Sequence, residues 1–492
     1  MWWSPSVDTQ ERWRHECPLP TTMGGVDVGG TADQCAPAYV ASIFACLPRL
    51  AATDTVMCSV LDHDGQLRAG AVATMPMLVS FAAEYERICA DRDAVASVYA
   101  DMDNTPYYTV RGGKYDGYFH PKKLPRELPK LSAVYSVKSN ISPPAQRTLS
   151  MIGHHRRWLA CLERAKLADA TTPHVSTPYR EATRFIGGSQ EGSGAPFDIS
   201  PDGSYATKIP SLQFEVLGQR RGGLDLAVAK AFNDSEALRV GHEVDRKGDE
   251  FANNGDRNRK HNRTLNAGER MLSAVAAGQV VKGDKEDPES AALYNEGYIL
   301  DLAEVGGDEE TGADVLYEFK VPSPLTKSHV ATGKSPKHGG VPASVGHLYA
   351  FGNTEEKFRL QVLGCKGRGR RRDGSFDHKT GRGWVKAVKG DYFDAIVRKG
   401  SRVVPMIIET TGGIAPHSRA VVARLARRAR RKGGRDGTVY GASRTSTRSF
   451  YVHHTQQMSV AAQKWGAVAI VEEYKGRRLQ RGLAGDHRHG AA

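Results

Sequence analysis

Asp301, Glu318 and Lys320 are the residues whose types and spacing could do chemistry together. Asp301 lies in the apolar run Tyr298-Ile299-Leu300-Asp301-Leu302. Glu318 and Lys320 lie in the run Val315-Leu316-Tyr317-Glu318-Phe319-Lys320-Val321-Pro322. A short acidic stretch from Gly306 to Gly312 separates the two, so they read as a pair of strands with a tight connection. Residues i and i+2 of a strand share a face, so Glu318 and Lys320 project together. Pairing of the two strands brings Asp301 to the same patch. Two carboxylates can hold a hard divalent cation such as Mg²⁺ or Mn²⁺. A neighbouring lysine can orient or deprotonate a water and steady a phosphate. This is the equipment of metal-assisted phosphodiester hydrolysis.

The elements that must position these residues follow from apolar periodicity. Helices are expected at 70–100, at 146–170 and over 255–277, ending at Gly278. Ala36 to Leu50 also has helical spacing, and Ile209 to Leu217 is helical or extended. Strands are expected at 279–282, 297–305, 313–321 and from Val403 to Glu409. Residues 385–399 and the Arg-studded 415–432 read as helices, and a last apolar helix or strand spans Val460 to Val471. Residues 101–145, Gly187 to Gly203 and 322–384 are rich in turn residues and read as loop or insertion. From 255 onward the order is α-β-β-β-(insertion)-α-β-α, a mixed α/β arrangement with the three candidate residues at the centre of one sheet.

Charge is distributed unevenly. Residues 366–492 carry 28 Lys and Arg against 9 Asp and Glu, whereas residues 1–365 carry 40 against 46. All of the positive excess therefore lies in the last quarter. That asymmetry points to a polyanionic partner, nucleic acid before membrane. The seven cysteines are scattered without a C-x-x-C pair, which argues against a disulfide framework and a zinc ribbon and fits reduced thiols in an intracellular compartment. No apolar run approaches a membrane span, so no membrane partner is expected. The first residues lack the basic and apolar regions of a signal peptide.

Rival patterns are weaker. Acid-x-Lys recurs at Asp245, Glu355, Asp377 and Glu473, and only Glu473 follows an apolar run. The Gly-rich turn from Gly24 to Gly30 lacks the spacing of a phosphate loop. Val98-Tyr99-Ala100-Asp101-Met102-Asp103 mimics a polymerase strand, but Met102 separates the aspartates. His154-His155 and His453-His454 lack companion ligands and read as exposed. Arg424, Arg427, Arg428, Arg430, Arg431 and Lys432 recur at helical spacing, as a solvated face or as a stripe that tracks phosphates. Arg370, Arg371 and Arg372 form a basic cluster in the insertion.

Several collinear segments resemble the C-terminal region of non-LTR (LINE-type) retrotransposon proteins of algal and protist type, which carry a restriction-endonuclease-like PD-(D/E)XK domain. Leu19 to Gly30 with Cys35 to Ser42 is similar to the turn and small-residue helix after the polymerase part. Gln146 to Ser150 looks like a helix start there. Gly194-Ala195-Pro196-Phe197, Ile209-Pro210, Phe214 and Arg220 to Leu224 resemble the following stretch. Lys260-His261-Asn262-Arg263 looks like the opening of the first nuclease helix. Val403 to Gly413, with Glu409-Thr410-Thr411-Gly412-Gly413, is similar to the late strand and turn.

The resemblance implies a helical N-terminal region followed by a restriction-endonuclease-like α-β-β-β-α-β core. The expected divisions are a helical or irregular region at 1–145 and a helical linker region at 146–240. A nuclease-like domain with an insertion at 322–384 follows at 241–435, then a basic extension at 436–492. In this frame Asp301 and Glu318 hold the metal and Lys320 is the catalytic lysine. His261, Tyr392 and Glu409 are supporting positions, and Lys386 or Lys389 falls beside Tyr392 on a helix. Lys389 joins Arg370, Arg371, Arg372, Arg424, Arg427, Arg428 and Arg431 as a nucleic-acid contact. The family's zinc knuckle has no counterpart, because no cysteine lies between 161 and 365, and no reverse transcriptase precedes the segments. The implied activity is a divalent-metal-dependent DNA endonuclease derived from a retroelement, nuclear if the source is eukaryotic. The alternative is an inactive, basic nucleic-acid-binding protein of the same fold.

Overall fold

The structure is a computed structural model. It describes residues 76–104, 145–171, 180–198, 208–229, 247–254, 257–276, 278–283, 300–325, 392–432 and 449–489, residue 124, and three two-residue antiparallel ladders at 109–114, 239–244 and 364–389. The turn at Gly24 to Gly30, the helix expected at Ala36 to Leu50 and Arg370, Arg371 and Arg372 lie outside the described residues. The chain divides into two units, residues 1–171 and 172–492.

In the first unit, α1 (Pro76–Asn104) packs against α2 (Ala145–Thr171). Tyr85, Ile88, Val95 and Tyr99 recur at three-, four- and seven-residue spacing and are buried, as are Leu149, Ile152, Trp158, Cys161, Leu162 and Ala165 of α2. Tyr99 belongs to this helical stripe, so the polymerase-like hexapeptide is helix. His155 is fully buried, and its Nδ1 lies 2.6 Å from the Tyr99 hydroxyl. The expectation of exposed histidines is corrected there. It is corrected again at His454, which is buried beside Phe450.

The second unit is mixed α/β. Its helices α3 (Arg180–Gly188), α4 (Ala195–Asp198), α5 (Ser211–Arg221) and α6 (Asp249–Asn254) precede α7 (Arg257–Ser273). Then come β1 (Val280–Lys282), β2 (Leu302–Glu304), β3 (Val315–Lys320), α8 (Phe393–Val397), β4 (Arg402–Ile407), α9 (Pro416–Lys432) and α10 (Phe450–His489). The sheet runs β4-β3-β2-β1. β2 pairs antiparallel with both neighbours, and β4 lies parallel to β3 with Arg402 opposite Val315 and Ile407 opposite Lys320. Residues 180–221 and 450–476, which the sequence assigns to flanking regions, therefore share a unit with the sheet.

Alternation along the strands creates two layers. Leu302, Val315, Tyr317, Phe319, Val404 and Met406 face α7, α9 and α10. Ala303, Leu316 and Val403 face the other way, toward Tyr392 and Ala395 at α8. β3 is covered on both faces, which explains its unbroken β-type sequence. α7 lies close to the sheet because Gly268 faces Phe319: a Cβ there would stand 2.2 Å from the ring. α10 spans 40 residues, about 60 Å of helix. Met458, Ala461 and Ala462 complete the core over the sheet, while Ala467, Ile470, Val471 and Tyr474 join Val216, Leu226 and Phe251 in a second cluster. Among the described residues no helix is long and apolar enough to cross a membrane.

Candidate active site

β3 is longer than its partner. Leu302, the first residue of β2, is opposite Tyr317, so among the described residues the β2 edge of β3 has no ladder partner beyond Tyr317. The first peptide groups left over there are those of Phe319. A buried backbone N–H or carbonyl without a partner is costly, and two side chains fill the gap. The Phe319 N–H donates to Asp301 Oδ2 at 2.6 Å, and the Phe319 carbonyl lies 3.2 Å from His261 Nε2. His261 Nε2 is also 3.2 Å from the same Asp301 oxygen. Both neighbours are acceptors, so Nε2 carries the proton. Asp301 thus stands at the fork where β2 leaves β3, and His261 reaches it from the first turns of α7.

Glu318 and Lys320 project from the α8-facing side of β3, which places them together as the two-residue spacing requires. The Lys320 ammonium donates to Glu318 Oε1 at 2.5 Å. The hydroxyl of Tyr392, in the turn before α8, donates to Glu318 Oε2 at 2.6 Å. The Glu318 side chain is 3% exposed, whereas that of Lys320 is 30% exposed. A buried carboxylate is therefore in direct contact with a half-exposed ammonium.

The electrostatics follow from this crowding. Burial pushes the Glu318 carboxyl above its ordinary range, and the charge of Asp301 pushes it further, with Lys320 and Tyr392 opposing. Burial alone would depress His261. The hydrogen bond and charge of Asp301, with Asn262 and Glu318 adding to them, outweigh it and raise His261. As an imidazolium, His261 donates from both nitrogens, Nδ1 lying 3.4 Å from Asn262 Oδ1. Glu318, raised by burial and by the charge of Asp301, is thus held beside the Lys320 ammonium and the Tyr392 hydroxyl.

These residues suit a hard cation in their donor chemistry. Asp301 and Glu318 offer oxygens from adjoining strands, and their mutual repulsion would be relieved by a divalent ion. Among the described residues no three His, Cys, Asp or Glu side chains converge as a ready-made metal cage. Mg²⁺ commonly takes one or two carboxylates and completes its shell with waters and substrate phosphates, so a two-carboxylate set fits it.

The other sequence candidates are dispersed. Glu409 lies beyond the end of β4, fully buried, and accepts from the Thr411 hydroxyl at 2.9 Å. Its turn is shaped by Gly412, at φ +87°, where a Cβ would meet the Gln463 side chain of α10 at 2.1 Å. The Glu-Thr-Thr-Gly-Gly segment therefore seats α10. Lys389 lies in a two-residue ladder opposite Gly364, so its segment is extended and the helix expected at 385–399 is limited to Phe393–Val397. Glu473, the rival acid, is on α10.

The arginine series on α9 splits. Arg427, Arg430 and Arg431 are exposed, and Arg424 is half-buried. Arg431 pairs with Glu309 at 2.7 Å. Arg428 is buried: its guanidinium binds the fully buried Glu304, Glu309 and the Gly307 carbonyl. Its expected place in an outward stripe is corrected, because the intervening β2 acid draws it inward. Sequence reasoning also missed a grouping of Arg259, Arg263, Lys464 and Trp465 between α7 and α10. Its only sequence signal is the i, i+4 spacing of the two arginines, since the Trp lies some 200 residues away.

Compared with protein-family models, curated proteins and solved structures, the chain matches none.

Proposed function

We propose that this chain is a divalent-metal-dependent phosphodiester hydrolase acting on DNA, with the sheet and its flanking helices serving as a restriction-endonuclease-like core. The observation that carries this reading is the fork between β2 and β3. There Glu318 pairs with Lys320 next to Asp301, which binds the Phe319 N–H, and burial and then the charge of Asp301 raise Glu318 with Lys320 and Tyr392 opposing. Asp301 and Glu318 would hold Mg²⁺ or Mn²⁺; such a cation supplies Lewis-acid polarisation of the scissile phosphate and a lowered pKa for water. Tyr392 fixes the Glu318 rotamer through Oε2, and His261 fixes Asp301. Lys320, the more exposed member, can exchange its Glu318 bond for a phosphate oxygen. The unevenly basic C-terminal quarter supports a polyanionic substrate.

A second reading, an inactive nucleic-acid-binding protein, has its own support. In this arrangement the Glu318 oxygens and one oxygen of Asp301 are already engaged by protein donors. Nicking of supercoiled plasmid with Mg²⁺ or Mn²⁺, by wild type and Glu318→Ala, separates the two. Metal-dependent nicking lost in the variant supports hydrolysis. DNA binding without nicking under any divalent metal overturns it in favour of the second reading.

A further inference from the structure

A cleft of about 460 Å³ lies between α7 and α10, with Pro210, just before α5, and Gln213 of α5 at its edge. Trp465 forms one wall. The guanidinium carbons of Arg263 and Arg259 stand 4.9 and 5.6 Å from its ring centroid, within cation–π range. Lys464, next to Trp465, is 3% exposed and also lines the cleft. Three cations thus meet one carboxylate, that of Glu472, which is 3.1 Å from Arg259. Arg263 is exposed and has no ion-pair partner among the described residues. Burial, and then the charge of Arg263, depress Lys464. Cations held against one another around an aromatic face are stabilised by an anion that also carries a flat ring.

We infer that this cleft binds an unpaired nucleotide of a nucleic-acid strand, its phosphate between Arg263 and Lys464 and its base stacked on the Trp465–arginine layer. The size suits this occupant: pockets of about 300–1,000 Å³ take small organic ligands, and a duplex is too wide to enter. Sequence-tolerant binding of single strands combines these two elements, cations along the backbone and aromatic platforms for bases. The position suits it too. Arg259 and Arg263 share one face of α7, while His261 is about 200° around the helix from each. Cleft and carboxylate fork therefore both border α7, on different sides of it. The inference rests on the hydrolase reading in taking the bound strand as part of the substrate; it makes that substrate a nucleic acid with a locally unpaired stretch.

The test is fluorescence anisotropy of the full chain with a labelled single-stranded oligothymidylate and with a duplex of unrelated sequence, both without divalent metal. Arg263→Glu is expected to weaken single-strand binding at least about tenfold and reduce the salt slope by about one to two. Trp465→Leu is expected to weaken it about fivefold or more, with a smaller effect on the duplex. Thymidine 5′-monophosphate should compete better than inorganic phosphate. Unchanged single-strand affinity in Arg263→Glu, at an exposed position, overturns the inference. Equal losses for single strand and duplex in both variants, or equal competition by the two anions, also overturn it. Plasmid nicking by the same proteins keeps the two readings apart. If Glu318→Gln nicks like wild type while Arg263→Glu loses single-strand binding, the assignment of the chemistry to Glu318 fails and the cleft stands. If Glu318→Gln loses nicking while Arg263→Glu binds normally, only the cleft fails.

Discussion

Replacing Glu318 with Gln separates a chemical role from a structural one. The amide keeps the shape, and both neighbours can still be served: Oε1 accepts from Lys320, and Nε2 donates to the Tyr392 hydroxyl. Charge assistance is lost at the Tyr392 bond, which falls from about 1.5–3 to about 0.5–1.5 kcal/mol, while the Lys320 bond keeps its ionised donor. Against that loss stands relief of the burial and the Asp301 repulsion that raise the Glu318 carboxyl. Lys320 is 30% exposed and can recover hydration. The terms oppose, so the net change in folding free energy should stay within about 1 kcal/mol, a few degrees in Tm at most. Activity should behave differently. A metal-bound charge contributes several kcal/mol to the transition state, so nicking should fall at least about a hundredfold. Thermal melts and plasmid nicking on the same preparations decide it, with a third arm in Mg²⁺: the cation should raise the Tm of the wild type but not of the variant. A variant that unfolds far below wild type makes Glu318 a structural anchor. A variant that nicks at the wild-type rate removes Glu318 from the chemistry.

Other outcomes follow from the same geometry. Arg428→Ala should destabilise the second unit by about 3–5 kcal/mol, because it strands the buried Glu304; denaturant melts read this. Arg427→Ala with Arg430→Ala should leave stability nearly unchanged while weakening DNA binding for all sequences and flattening its salt slope by about one for each phosphate no longer neutralised. An unchanged slope would make that face merely solvated. Gly268→Ala should lower stability by about 1–3 kcal/mol through overpacking against Phe319, despite the better helix propensity of alanine; a raised Tm would refute the close approach of α7. Asp301→Asn should lose Mg²⁺-dependent nicking and regain part of it in Mn²⁺, whereas Lys320→Ala should lose nicking with both metals. Equal nicking by both variants and wild type would place the active site elsewhere.

The order of elements from α7 to α9 was legible because each announces itself locally. The core stripe of Leu265, Met271 and Leu272 has helical spacing, and Val315 to Phe319 is an uninterrupted set of strand-forming residues around Glu318. The patch formed by Glu318 and Lys320 needs only the strand period. What stayed hidden depends on partners far along the chain. Nothing near Arg428 reveals Glu304, 124 residues before it, and nothing near His155 reveals Tyr99. α3 escaped notice because its amphipathic stretch ends in Gly187-Gly188, which reads as loop. The reach of α10 beyond Val460 to Val471 was hidden by polar residues whose neighbours come from several other elements.

The parallel seating of β4 on β3 has a consequence for how the molecule assembles. Asp301 and Glu318 are 17 positions apart and belong to one hairpin, a closure on the scale of microseconds. Arg402 must find Val315 across 87 positions, and such remote pairings bear a larger closure entropy and slow folding. Tyr392 arrives with that late segment. The nascent hairpin therefore holds its two acids together before the phenolic anchor of Glu318 is in place. A divalent ion in the refolding buffer would meet them at that stage, as a template for the nucleus rather than an addition to the finished protein.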